Sequence, residues 1–252
     1  KDAHDVLGTY RVLSTREFMG RSAQDDNPDV FIARVRATHR EIMAGRPEER
    51  PGQWKIDENM AGTTVFVHPD LVEGTLRKGF EFVVALSEPF HRAMAMMFVL
   101  SEVHPFSDGN GRVSRALMNA EVIAAGEPRI LVPIIVRDEY IAGLRAITRD
   151  GYPNTLVEVL SFGQRLTRAS ISPLTTSRSA RSGMRTASKN LDQACGRVCR
   201  AQPKPGTLFD AQLWDTSQFV AHKTRFVGHK RRSGPYVGHK PPLCASHPMD
   251  NI

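Results

Sequence analysis

Apolar side chains recur at helical spacing through the first two thirds of the chain and lose that spacing near residue 168. In residues 10–43, Phe31, Ile32, Val35 and Ile42 keep this rhythm until Gly45-Arg46-Pro47 interrupts it, which predicts helices followed by a turn. Residues 50–60 are polar and hold Pro51, Gly52 and Trp54, as in a loop that pins one aromatic to a core. The run Gly62-Thr63-Thr64-Val65-Phe66-Val67-His68-Pro69 is β-branched and aromatic between Gly and Pro, the signal for a strand or small hairpin.

From residue 71 to 86 the apolar positions fit a helix loosely. Ser87-Glu88-Pro89 then reads as a helix start, with the Ser87 hydroxyl as a cap and proline in the first turn. Residues 90–103 are apolar on several sides, which predicts a helix central in the core. Pro105 and two glycines interrupt residues 104–111, and the helical pattern resumes over 112–125 until Gly126 and Pro128. A further helix is expected with Asp138 as its cap, Tyr140, Ile141, Leu144 and Ile147 on one face, and Gly151 at its end. A last amphipathic helix is expected over 155–166. The predicted fold is mainly α with one β-hairpin.

Charge divides the chain at the same point as the pattern. Up to Arg168 there are 21 Lys plus Arg against 23 Asp plus Glu, and beyond it 13 against 4. The net charge of +7 therefore belongs to residues 169–252, a Ser-, Arg- and Pro-rich stretch that reads as a disordered basic tail behind a domain of residues 1–168. A shifted reading frame near this point is a second account of so abrupt a change. By bulk charge the domain is not a nucleic-acid surface, which speaks against nucleic acid as a partner. The longest apolar stretches, such as residues 93–100, are too short for a membrane span. The start at Lys1 lacks a signal-peptide pattern, and Cys195, Cys199 and Cys244 are odd in number and widely spaced. The expectation is a soluble protein of the reducing cytoplasm.

Chemistry concentrates in His104-Pro105-Phe106-Ser107-Asp108-Gly109-Asn110-Gly111-Arg112-Val113-Ser114-Arg115, held between two core helices. The glycines around Asn110 let backbone amides turn toward one point, and the following helix adds its positive end, so an anion such as phosphate is favoured there. Asp108 offers a carboxylate oxygen to Mg²⁺, which takes few protein ligands when it bridges phosphates. Arg112 and Arg115 are neighbours on a helix face, each able to fork two hydrogen bonds to phosphate oxygens. His104 titrates near neutrality and suits a general base. Phe106 is expected to point inward and anchor the loop. His39 and His91, without such neighbours, read as structural histidines.

This run matches without a gap the pattern His-x-Phe-x-Asp/Glu-Gly-Asn-Gly-Arg-x-x-Arg, and through it the chain resembles the Fic family, more weakly over residues 10–166. The resemblance implies a helical Fic-fold core with a β-hairpin flap. It also implies Mg²⁺-assisted transfer of AMP from ATP to a Ser, Thr or Tyr hydroxyl of a target protein. Under it His104 is the general base and Asp108 the metal ligand. Gly109, Asn110 and Gly111 line the anion hole, Arg112 contacts phosphates, and Arg115 holds the terminal phosphate. Thr63, Thr64, Val65, Phe66 and Val67 form the flap that pairs main chain to main chain with the target.

Many members of that family carry a restraining Ser/Thr-x-x-x-Glu-Gly/Asn motif whose glutamate pairs with the second motif arginine. No Ser or Thr of this chain has Glu four residues on. Restraint is then expected from a separate small protein, as in a toxin–antitoxin pair; the alternatives are a missing amino-terminal or altered carboxy-terminal segment, or no restraint. Two other readings of the whole stand beside AMP transfer: transfer of another nucleotide or phosphate-containing group, and a non-catalytic adaptor that binds protein or nucleic acid.

Overall fold

The computed structural model describes residues 2–62 and 64–171; flap residue Thr63 and the tail from residue 172, with all three cysteines, lie outside the described residues. The helices are α1 (Asp2–Ser14), α2 (Arg16–Met19), α3 (Pro28–Ile42), α4 (Val72–Val84), α5 (Pro89–Val103), α6 (Asn110–Ala124), α7 (Arg137–Asp150) and α8 (Asn154–Ile171). One hairpin, β1 (Met60–Ala61) and β2 (Thr64–Val65), precedes α4. Among the described residues no helix is long and apolar enough to cross a membrane.

The all-round apolar pattern of residues 90–103 has the expected result: from residue 92 to 103 every side chain of α5 except Ser101 is buried. Helix α6 lies along α5, while α4 and α8 pack elsewhere on it; α1 packs on α3, and α7 on α8. Proline in the first turn starts both α3 and α5. Asn27 caps α3 by accepting the Val30 N–H at 2.9 Å. Close approach of α7 and α8 depends on Gly143, where a Cβ would stand 2.8 Å from the Leu156 nitrogen.

Several boundaries differ from the sequence expectation. Helix α6 begins at Asn110, two residues before the apolar pattern resumes, and α8 continues to Ile171. Ser87 does not cap α5, because Glu88 occupies the cap position and makes no side-chain cap bond. Asp138 lies inside the first turn of α7; the chain enters through a 3-10 turn, Ile134–Val136, which leaves Val136 at the cap. Asp138 acts there only through its charge near the positive helix end. The β segment is shorter than its composition suggests. Met60 pairs with Val65 and Ala61 with Thr64, after which Val67 turns inward and is 5% exposed.

The core also contains charge. Glu121 of α6 is fully buried and accepts hydrogen bonds from the Ser22 hydroxyl and the Ala23 N–H, both at 2.6 Å, and from Arg92 Nε at 3.3 Å. Arg92 in turn donates to the carbonyls of Leu86 and Ser87, so one carboxylate ties together α5, α6 and the segment before α3. Removing one partner of a buried ion pair strands the other charge in a poor solvent. Glu121→Ala is therefore expected to destabilise the domain by about 3–5 kcal/mol, measured as the loss of unfolding free energy in urea.

Candidate active site

Residues 104–109 link α5 to α6, and their shape is imposed from outside. His104 ends α5 in the left-handed region, with φ 49°, its N–H donating to the Leu100 carbonyl at 3.1 Å. Such a backbone is uncommon for a residue with a Cβ and persists only where its surroundings enforce it. Pro105 accepts from the Lys55 N–H at 2.9 Å. Phe106 is fully buried; the Asn110 side chain accepts from its N–H at 2.9 Å and donates to its carbonyl at 2.8 Å. Asn110 thus closes the loop on itself.

His39 of α3 supports the loop from beneath. Its ring stacks on Phe106 with centroids 3.6 Å apart and 3° between planes, and Trp54 leans on the same phenyl ring at 5.2 Å. His39 Nδ1 accepts the Gly52 N–H at 2.9 Å, so the proton resides on Nε2, which donates to the Asp108 carbonyl at 3.1 Å. A Cβ on Gly109, whose φ is +81°, would stand 3.0 Å from Met43 Sδ and 3.3 Å from the His39 ring. His39 is structural, as its isolation in sequence suggested, and touches three of the motif residues.

His104 and Phe66 of the flap stack with centroids 3.8 Å apart and 6° between planes. His104 Nδ1 lies 3.2 Å from the Ser101 carbonyl, which only accepts, so Nδ1 carries the proton and Nε2 keeps its lone pair. Burial above all, with the charge of Lys55, lowers the His104 pKa below the ordinary histidine value. The imidazole is neutral at pH 7.

A cavity of about 760 Å³ opens beside it, lined by Ala61, Gly62, Thr64 and Phe66 of the flap, by His104, Gly111 and Arg115, and by α7 residues including Tyr140, Ile141 and Leu144. The volume suits a small-molecule or cofactor site. The first amides of α6 have no intrahelical acceptor, and Gly111 brings that helix end to the cavity. Arg115 folds back over it: a Cβ on Gly111 would be 3.1 Å from Arg115 Nη1. Helix end and guanidinium converge on one place, as anion binding requires.

Asp108 and Arg112 face the N-terminal helix and are not among the residues lining the cavity. Asp108 Oδ1 accepts the Gly109 N–H and Oδ2 accepts from Arg46, both at 2.6 Å, while Arg112 stands 3.5 Å away. Asp5 of α1 pairs with Arg112 at 2.6 Å and with Arg46 at 3.2 Å. Burial pushes the Asp108 pKa up, but Arg46, the Gly109 amide and Arg112 outweigh it and hold the carboxyl below its usual range. As an ionised hard oxygen, 43% exposed at the side chain, Asp108 fits Mg²⁺. Among the described residues no three His, Cys, Asp or Glu side chains cluster for a metal, so a Mg²⁺ held by Asp108 would need most of its ligands from outside the protein.

The motif thus divides into residues that face the cavity, His104, Gly111 and Arg115, and residues that shape or charge the loop, Asp108, Gly109, Asn110 and Arg112. Val67 of the flap serves the core. His39, Arg46, Lys55, Asp5 and Asn59, whose side-chain amide donates to the Phe106 carbonyl at 3.1 Å, escaped the sequence reading as site residues; their partners are far along the chain, and only the aromatic and glycine content of 50–60 hinted at a packed loop.

The sequence model of the Fic/DOC family matches residues 30–121. A Fido domain-containing protein of Dictyostelium discoideum is 34% identical over 104 residues, which are 39% of this chain and 72% of that protein. The chain belongs to the Fic/DOC family. Protein adenylyltransferase fic-1 of Caenorhabditis elegans is 28% identical over 148 residues, covering 57% of this chain and 29% of its own length. The chain thus spans about 29% of the length of such relatives. The solved structure of C. elegans Fic-1 superposes with a TM-score of 0.54 at 23% identity, covering 69% of this chain and 52% of that one. A Fic family protein from Desulfovibrio desulfuricans G20 gives 0.52 at 19% identity, covering 77% and 62%. The helical bundle with its small hairpin is therefore the Fic fold.

The tautomer of His39 sets a pH dependence. Burial pushes its pKa down to about 4 from the ordinary 6.5, so between these values the unfolded chain binds a proton that the folded one refuses. Stability is then fully present above pH 6.5 and falls as the pH drops toward 4, by on the order of 3 kcal/mol. Denaturant unfolding followed from pH 7 to 4 is expected to show this fall, and His39→Gln to flatten it.

Proposed function

We propose that this domain transfers AMP from ATP to a hydroxyl side chain of a target protein. The observation that carries the reading is the neutral His104, its unprotonated Nε2 beside a cavity on which the start of α6 and Arg115 converge. The relatives named protein adenylyltransferase support it. The target lies along the flap, main chain to main chain, with its hydroxyl toward His104. His104 Nε2 takes the hydroxyl proton as the oxygen attacks the α-phosphorus. The bond from the α-phosphorus to the bridging oxygen breaks, and pyrophosphate leaves with the electron pair.

In this reading the amides at the start of α6 and the Arg115 guanidinium hold the departing phosphates and offset the charge gathering on them. Asp108, kept ionised by Arg46, is the residue that would hold Mg²⁺, which would supply charge neutralisation to the phosphates. Arg112 reaches the phosphates by exchanging Asp5 for them. The Phe66 ring fixes the plane of the imidazole. Arg115 has no carboxylate partner among the described residues, in keeping with restraint by a separate small protein.

The test supplies Mg²⁺, lysate and ATP labelled on its α- or γ-phosphate. Label on protein is expected from the α-position alone and is expected to drop about 10²–10⁴-fold in His104→Ala; transfer of the γ-label would overturn the reading. A second expectation concerns pH. His104 must be neutral to act, and its pKa is lowered, so the acid limb of kcat/KM should have its midpoint below pH 6.5. A midpoint above that value would contradict the base assignment.

A further inference from the structure

Arginines outnumber carboxylates on the cavity wall: Arg115, Arg137, Arg145 and Arg149 face one acid, Glu102. Glu102 is engaged, accepting from the Thr148 hydroxyl at 2.6 Å, and Arg137 stands 3.6 Å from Asp138. Among the described residues the guanidinium groups of Arg115, Arg145 and Arg149 have neither an ion-pair nor a hydrogen-bond partner. Arg115 sits at the start of α6 and serves the phosphates in the reading above, on which the present inference rests. Arg145 and Arg149 are on α7, one helical turn apart, on the wall of the cavity that flap residues also line. The ribose and base of ATP carry no negative charge. Two cations are left over for the second substrate.

We infer that Arg145 and Arg149 select a target segment bearing an acidic residue two positions from the modified hydroxyl. Side chains of an extended segment alternate in direction, so when the hydroxyl at position i points into the cavity, positions i−2 and i+2 point the same way and i±1 point away. A strand laid on the flap therefore presents only its even neighbours to α7. An Asp or Glu there meets two uncompensated guanidinium groups. Both arginines are exposed, so the contribution is that of a partly screened ion pair, one that sets choice of partner and register more than overall affinity.

The experiment uses the full chain with a non-hydrolysable ATP analogue and fluorescent peptides that carry one central Tyr, Ser or Thr. The peptides bear Glu at ±2, Glu at ±1, Lys at ±2, or no charge. Binding is read by anisotropy at two salt concentrations, and AMP transfer separately with α-labelled ATP. Glu at ±2 is expected to bind about fivefold tighter than the neutral peptide and than Glu at ±1, less so at high salt. Arg145→Glu with Arg149→Glu should reverse the preference toward Lys at ±2 while ATP-analogue affinity stays unchanged. Equal binding of all peptides, equal gain from Glu at ±1, or a preference that survives the double reversal would overturn the inference. So would a matching loss of ATP-analogue affinity, since the arginines would then belong to the nucleotide. If Glu at ±2 binds through these arginines and no peptide is labelled, the docking inference stands and the transfer reading falls.

Discussion

A neutral imidazole deep in α3 carries the loop on which the candidate chemistry depends. His39 offers a lone pair to the Gly52 amide, a proton to the Asp108 carbonyl, and a flat face to Phe106. These three contacts join helix α3, the 50–60 loop and the motif loop through one ring, with Gly109 in a left-handed backbone close against that ring and Met43, where a side chain would be strained. The Gly52 contact requires the uncharged tautomer with its proton on Nε2, because a protonated Nδ1 has no lone pair to accept with. The left-handed backbone of His104 and the opening of α6 onto the cavity follow from a loop whose two ends and middle are all fixed.

The charges around Asp108 form a second layer of support. Arg46 comes from the turn after α3 and Asp5 from α1, and together with Arg112 they make an alternating chain of cations and anions along one side of the loop. The carboxylate stays ionised because cations and an amide outweigh its burial. The other side of the loop has the opposite character. There the cavity has surplus positive charge and a helix end with free amides. The loop thus separates a compensated network from an uncompensated one, and an anionic ligand is drawn to the second.

Much of this was legible in the sequence, for identifiable reasons. Residues 90–103 are apolar on nearly every side, and only the centre of a helical core suits such a helix. The twelve-residue motif runs without interruption from the end of α5 into α6, so recognising it did not require knowledge of long-range contacts. What stayed hidden is what the chain brings from elsewhere. His39 and Asp108 are 69 residues apart, and Arg46 and Asp108 are 62 apart, distances over which composition and periodicity say nothing about contact. Local rules misled at Ser87 and Asp138 because each describes an isolated helix end, whereas here a neighbouring glutamate and a preceding 3-10 turn took the cap positions. The hairpin read as longer than it is because Val67 has the composition of a strand and the burial of a core residue.

The flap has two residues per strand, too few to hold a shape by its own hydrogen bonds. Its order is borrowed from Val67 in the core and from the Phe66 ring lying flat on His104. The loan runs in both directions, since the same stack restricts rotation of the imidazole. Whatever straightens or displaces the hairpin also loosens the ring beneath it. If a target docks on the hairpin and His104 is the base, as proposed, docking and readiness of the base would be coupled through that single aromatic contact.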